Sequence, residues 1–140
     1  MDIRARVQQA NDDTYAAWNA HDADAVAAVF ARDAEIIDVA SGTITRGRDA
    51  IRVTAVERFI GFPNFSLEKQ TLLIDGPANA DRWIMRGTHT GEFMGLAPTG
   101  NAVEVHGATF SEFNDEGLVV RDTHYVDVGA LLRQLGIPEA

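Results

Sequence analysis

Residues 102–127 read AVEVHGATFSEF, then NDEG, then LVVRDTHYVD. Ala102 to Phe113 and Leu118 to Asp127 are both of strand length, and Asn114-Asp115-Glu116-Gly117 between them is a strong hairpin signal. On the second strand Asp122, His124 and Val126 share one face, and Arg121, Thr123, Tyr125 and Asp127 share the other. Upstream, Trp83 to Thr90 and Phe65 to Ile74 are two further strands, the latter ending at the turn Asp75-Gly76-Pro77. A shorter strand, Glu35 to Val39, turns Ile36 and Asp38 one way and Glu35 and Ile37 the other.

The remainder reads as helix. From Asp2 to Asn19, the residues Ile3, Val7, Ala10, Thr14 and Trp18 recur at helical spacing. Asp22 or Asp24 caps a second helix with Val26, Val29 and Phe30 on one side. Ser41-Gly42 begins a loop, and Gly47-Arg48-Asp49 leads into a third helix striped by Ile51, Ala55 and Phe59. Val128 to Leu135 is a terminal helix stopped by Gly136, with Pro138 beyond. The glycine-rich apolar stretch from Gly91 to Gly100 is a loop that should lie over something. With no linker or repeat, 1–140 is one domain of 140 residues. Helices first and a meander of strands afterwards predict an α+β fold, a mostly antiparallel sheet with helices on one face. Strong curvature of that sheet around a long helix would leave a blind apolar pocket between them.

Composition narrows the chemistry. Cysteine is absent, which removes disulfide frameworks, thiolate metal sites and cysteine nucleophiles. A net charge of −9 argues against nucleic-acid and anionic-membrane partners, both of which need a basic patch. No segment has the roughly 18 apolar residues of a membrane span, and Met-Asp-Ile-Arg-Ala-Arg has no signal-peptide core, so the cytoplasm is the expected compartment. No histidine or carboxylate pair has tight ligand spacing, so no metal is expected. Ser41, Ser66 and Ser111 lack a nucleophile elbow, and no glycine motif opens a helix to cradle phosphate. Acid–base chemistry on a small molecule, with no cofactor, is what remains.

The candidates follow from the faces. His89 lies on the side of Trp83, Met85 and Gly87, and His124 on the inward side of the last strand; facing one cavity, they would shift each other's titration. Asp38, among Ile36, Ile37 and Val39, either accepts bonds from a neighbouring turn or projects into the cavity as a general base. His21 in its polar turn and His106 on a polar stripe are expected outside, and Asp33 is expected solvated. Asp122 is held in reserve.

Thr88-His89-Thr90-Gly91-Glu92-Phe93-Met94-Gly95-Leu96-Ala97-Pro98-Thr99-Gly100 resembles the G-x-H-x-G-x-x-x-G-x-P-P-T stretch of SnoaL-like polyketide cyclases. Asp127 through Leu131-Leu132-Arg133-Gln134-Leu135-Gly136 is similar to their C-terminus. Tyr15-Ala16-Ala17-Trp18-Asn19-Ala20-His21-Asp22, with Phe30-Ala31-Arg32-Asp33-Ala34, resembles the opening of the wider nuclear transport factor 2-like superfamily. The resemblance implies a cone-shaped α+β barrel, a homodimer or homotetramer, one apolar pocket per subunit and no cofactor. It implies proton-moving enzymes: cyclases closing a ring by intramolecular aldol condensation, ketosteroid isomerase, and an epoxide hydrolase that activates water. Non-catalytic subunits share the fold.

Carried over position by position, the cyclase aspartate and the hydrolase's water-activating aspartate fall at His124, and a cyclase histidine falls at His89. A second cyclase histidine falls at Phe110 and is missing. Asp38 matches the isomerase base, whereas the two isomerase oxyanion donors fall at Thr14 and Thr109. Tyr15, one residue out of register, would face another direction on its helix. The resulting expectation is a hydrophobic carbonyl substrate, with His124, Asp38 and His89 catalytic and Tyr15, Trp18, Trp83, Met85, Phe93 and Asp122 around the substrate. The alternatives are a non-catalytic ligand-binding or assembly domain using the same pocket, and epoxide-hydrolase-like water activation.

Overall fold

A computed structural model of the chain describes residues 1–138. Helix α1 (Ile3–Asn19) is capped by the Asp2 carboxylate, which accepts from the Ala5 amide at 2.8 Å. Asp22 caps α2 (Ala23–Ala28) through the Ala25 amide. Helix α2 ends earlier than its apolar spacing indicates, because Phe30 already opens strand β1 (Phe30–Asp38). The expected loop at Ser41-Gly42 is the tip of a hairpin: β2 (Thr43–Arg46) pairs antiparallel with β1. Helix α3 (Arg48–Gly61) buries Ile51 and Ala55 as its stripe requires. Four strands then run as a meander, β3 (Ser66–Asp75), β4 (Ala78–Thr88), β5 (Ala102–Phe113) and β6 (Val119–Val126), and α4 (Val128–Leu135) closes the chain. Gly136, at φ 75°, adopts the left-handed conformation that ends α4.

The strands form one open sheet in the order β2-β1-β6-β5-β4-β3, antiparallel throughout except where β1 lies parallel to β6. Register shifts interrupt the β1–β6, β3–β4 and β5–β6 ladders, and such bulges bend strands. This is the predicted α+β class with its curved, mostly antiparallel sheet.

Two apolar clusters hold the layers together. One joins Val7, Ala10 and Ala17 of α1 to Val26, Phe30, Ile36, Ile51 and Val119. The other gathers Phe62, Phe65, Val103, Val105 and Leu135. Trp18 and Phe59 touch both. His21 departs from expectation: at φ 56° it stacks on Phe59 at 4.7 Å and bonds the Phe65 carbonyl at 2.7 Å through Nε2. The turn carries it inward onto the aromatic ring pair, so it is not a surface residue.

Register fixes which side chains share the concave face. Directly paired residues across a ladder project to the same side. Asp38 pairs with His124, His124 with Thr109, Thr109 with Asp81, and Asp81 with Leu72. The neighbouring row is Ile36, Asp122, Ser111, Asn79 and Ile74. A polar band therefore crosses five strands beneath α1.

Candidate active site

Helix α1 brings Asn11, Tyr15 and Trp18 to one face, since these spacings place side chains above one another. Tyr15 donates its hydroxyl to Asp81 Oδ2 at 2.8 Å, and Asn11 donates Nδ2 to the same oxygen at 3.0 Å. Both bonds are buried. Burial pushes the Asp81 carboxyl above its ordinary range, and Asp122 adds to this; the Tyr15 and Asn11 bonds and His124 pull the other way. Burial, then the Asp81 charge beside it, pushes the Tyr15 phenol far up, so its proton stays on oxygen. Lys69 sits 5.0 Å over the Tyr15 ring and pairs with Asp12 at 3.1 Å.

On β6, His124 Nε2 lies 3.5 Å from Asp122 Oδ2, with both side chains largely withdrawn from solvent. Thr109, opposite His124, accepts the Trp83 indole N–H at 3.0 Å. The Trp83 ring lies flat across Gly107: a Cβ there would stand 2.3 Å from Trp83 Cη2, so only glycine admits this placement.

Among the described residues, six buried side-chain polar atoms have no hydrogen-bond partner, and five of them are Asn11 Oδ1, both amide atoms of Asn79, Asp81 Oδ1 and Asp122 Oδ1. Each unpaired buried group costs about 1–3 kcal/mol, so a fold that concentrates them in one patch is maintained against that penalty. Asn79, Asp81 and Asp122 lie in the two polar rows of the sheet, and Asn11 faces them from α1.

The remaining sequence candidates divide. Asp38 shares the face of His124, yet its Oδ1 accepts from the Ala40 and Ser41 amides at 3.0 and 3.3 Å, the turn-holding alternative. His89 is fully buried, bonds Thr99 through Nδ1 at 3.1 Å, packs its ring tilted against Phe62 at 5.4 Å, and leaves Nε2 as the sixth unpartnered atom. Its contacts bind it to the 91–100 loop, whereas those of His124 lie in the polar band. That loop does lie over something: Phe93 meets Phe62 edge-on at 5.3 Å, and a Cβ on Gly91 would fall 1.9 Å from the Ile60 carbonyl. Trp18, Met85 and Phe93 pack against the second apolar cluster.

Among the described residues, hollows of about 620 and 490 Å³ open on the outside of the protein. The larger, between α1, α2 and the β5–β6 turn, contains none of the candidates; the smaller includes Trp83 and His106. Among the described residues no group of three or more histidine or carboxylate side chains is arranged to hold a metal ion.

Tyr15, expected beside the substrate although one residue out of register with the isomerase tyrosine, points inward to Asp81, while Thr14 bonds its own helix at the Ala10 carbonyl. The residue that sequence reasoning missed is Asp81. It belongs to the alternation that contains Trp83, Met85 and Gly87, but the polar residues 78–82 did not announce a strand, and β4 starts five residues before Trp83.

A sequence model of the SnoaL-like polyketide cyclase family matches residues 6–135. The chain belongs to that family. No curated protein sequence matches it. Among solved structures, this SnoaL-like protein is 28% identical to IdmH of Streptomyces antibioticus, provisionally a polyketide cyclase, over 94% of this chain and 99% of that one, at a TM-score of 0.79. It is 25% identical to AclR of Streptomyces galilaeus, provisionally a hydroxylase, over 98% of this chain and 89% of that one, at a TM-score of 0.83. A SnoaL-like protein of Jannaschia sp. CCS1 shares the fold at a TM-score of 0.87 with 18% identity, over 99% of this chain and 97% of that one.

Proposed function

We propose that this SnoaL-like protein is a cofactor-free acid–base enzyme acting on a hydrophobic carbonyl compound, of cyclase or isomerase type. The observation that carries the reading is the cluster of unpaired buried polar atoms around Asp81 and Asp122 beside His124. His124 is the base: it takes a proton from the carbon next to the carbonyl, and the Asp122 carboxylate stabilises the imidazolium that results. Asp81, whose burial favours its protonated form, serves as the acid. Its Oδ2 accepts from Tyr15 and Asn11, leaving Oδ1–H to donate to the developing enolate. The strong donor that the isomerase pattern puts at Thr109 is thus supplied by the residue paired with Thr109 on β4. The enolate carbon then attacks a second carbonyl of the same molecule, forming the C–C bond that closes a ring while that carbonyl's oxygen takes the proton held by His124. Where the substrate carries a β,γ double bond, the dienolate instead takes that proton at its γ carbon, giving the conjugated isomer.

His89 and Asp38 become positioning residues, one for the glycine-rich loop and one for the β1–β2 turn. Trp18, Trp83, Met85 and Phe93 provide the apolar surroundings. The reading includes a homo-oligomer in the cytoplasm: Leu73, Phe110 and Tyr125 are 67%, 43% and 53% exposed on the convex face of the sheet, where a second copy would cover them.

The test is a panel of polycyclic aromatic ketones and esters, assayed for binding and turnover with wild type, His124→Ala and Asp81→Asn. Turnover of a bound substrate should fall about a hundredfold or more in both variants. Binding with no turnover by wild type would instead establish a ligand-binding domain, and unchanged turnover in both variants would place the chemistry elsewhere.

A further inference from the structure

Arg58 of α3 stands apart from the surface arginines. Arg46, Arg52, Arg86 and Arg121 each have a carboxylate within 4.0 Å. The Arg58 guanidinium instead lies over the Trp18 ring, 5.4 Å from its centre, and among the described residues it has no hydrogen-bond or ion-pair partner. Burial disfavours its charged form, while Asp38 and Glu57 act on it only through space. Asp38 forms no ion pair with it, and Asp38 Oδ1 accepts from the Ala40 and Ser41 amides. A guanidinium carries five donors in a planar fork suited to a carboxylate, and half-buried Arg58 leaves that fork without an acceptor among the described residues. Its position is informative as well. Trp18 follows Tyr15 by three residues on the same helical face, a rise of about 4.5 Å. Arg58 is thus set against the residue one turn along α1 from Tyr15, and Asp38, which shares the face of His124, lies near enough to act on its charge.

We propose that Arg58 is an anion-recognition residue of this site, and that the substrate bears a carboxylate in addition to the carbonyl received by Asp81. The Trp18 indole backs the guanidinium, and the fork's edge is left for two carboxylate oxygens. This assignment rests on the concave face being the substrate site and names the class of molecule that enters it: an aromatic or polycyclic keto acid. With a net charge of −9 the whole protein repels anions, so the preference must come from this local group.

The experiment compares 2-naphthoate with methyl 2-naphthoate by titration calorimetry. Wild type should bind the acid at least about tenfold more tightly than the ester, as one charge-assisted bidentate contact implies. Arg58→Met should abolish the preference while leaving ester affinity within about twofold, and Arg58→Lys should retain part of it, since a point charge replaces the fork. The acid–ester comparison on wild type stands even if Arg58→Met fails to fold. Equal affinity of wild type for acid and ester, no binding of the acid, or an unchanged preference in Arg58→Met would overturn the assignment. His124→Ala separates the two readings: it should keep the acid preference whether or not it loses turnover, so the proton-transfer reading can fail alone.

Discussion

Replacing Tyr15 with phenylalanine removes a single oxygen and probes the state of Asp81. Tyr15 is 8% exposed, its ring packing survives the change, and its lost bond is the 2.8 Å contact to Asp81 Oδ2. A hydrogen bond to a charged partner contributes about 1.5–3 kcal/mol, and one to a neutral partner about 0.5–1.5 kcal/mol. The cost of the substitution therefore depends on whether Asp81 is ionised. Because the native Asp81 pKa is raised, first by burial, ionisation is less favourable in the folded than in the unfolded chain. Stability linked to Asp81 is full below its unfolded pKa and is lost as pH rises through the native pKa. Without the Tyr15 hydroxyl, which holds that pKa down, the loss is larger. Tyr15→Phe should thus cost about 1 kcal/mol at low pH and about 2 kcal/mol above the native pKa of Asp81. Urea unfolding followed by circular dichroism, from pH 4.5 to 8.5, measures this. In the Asp81→Asn background, where the amide oxygen accepts both bonds and nothing titrates, the cost of Tyr15→Phe should be flat with pH. A pH-independent cost in the native background, or an equal pH dependence in the Asp81→Asn background, would refute the reasoning.

Three further outcomes follow from the geometry. Gly107→Ala sets a Cβ 2.3 Å from the Trp83 ring, so it should destabilise by about 1–3 kcal/mol in urea unfolding and lose the Trp83–Thr109 bond. His89→Ala should raise amide exchange across residues 91–100, read by hydrogen-exchange mass spectrometry, while leaving β6 protected. Tyr125→Glu, on the exposed convex face, should convert an oligomer to monomer in sedimentation velocity without loss of helix or strand signal.

The hairpin at Asn114–Gly117 and the alternation on either side of it carry the fold in their spacing, and β5 and α4 occupy the residues that spacing indicates. That Asp122 and His124 share a face is equally legible, because residues two apart on a strand do so; that they lie 3.5 Å apart is not. Asp81 was not. Alanine, asparagine, aspartate and arginine at 78–82 give no strand signal of their own, and they become strand only through pairing with β3 and β5 on either side. Tyr15 is legible as a residue near the substrate, but its bond to Asp81 is not, because that partner lies 66 residues away on a strand with no signal of its own. His89 lies on an apolar face in the sequence pattern, and in the folded chain it engages the 91–100 loop through Thr99. Local periodicity tells which residues share a face; only the packed layers decide which face meets which.

If His124 abstracts a proton next to a carbonyl while Asp81 steadies the enolate, a bound ketone should exchange that proton with solvent even when no ring closes. Proton NMR of 2-tetralone in heavy water measures this directly. Wild type should accelerate exchange at the carbon next to the carbonyl by about a hundredfold or more over buffer, and His124→Ala should reduce the rate to near that of buffer. Bound 2-tetralone exchanging no faster than in buffer, or exchanging equally fast with His124→Ala, would contradict the assignment of His124 as the base.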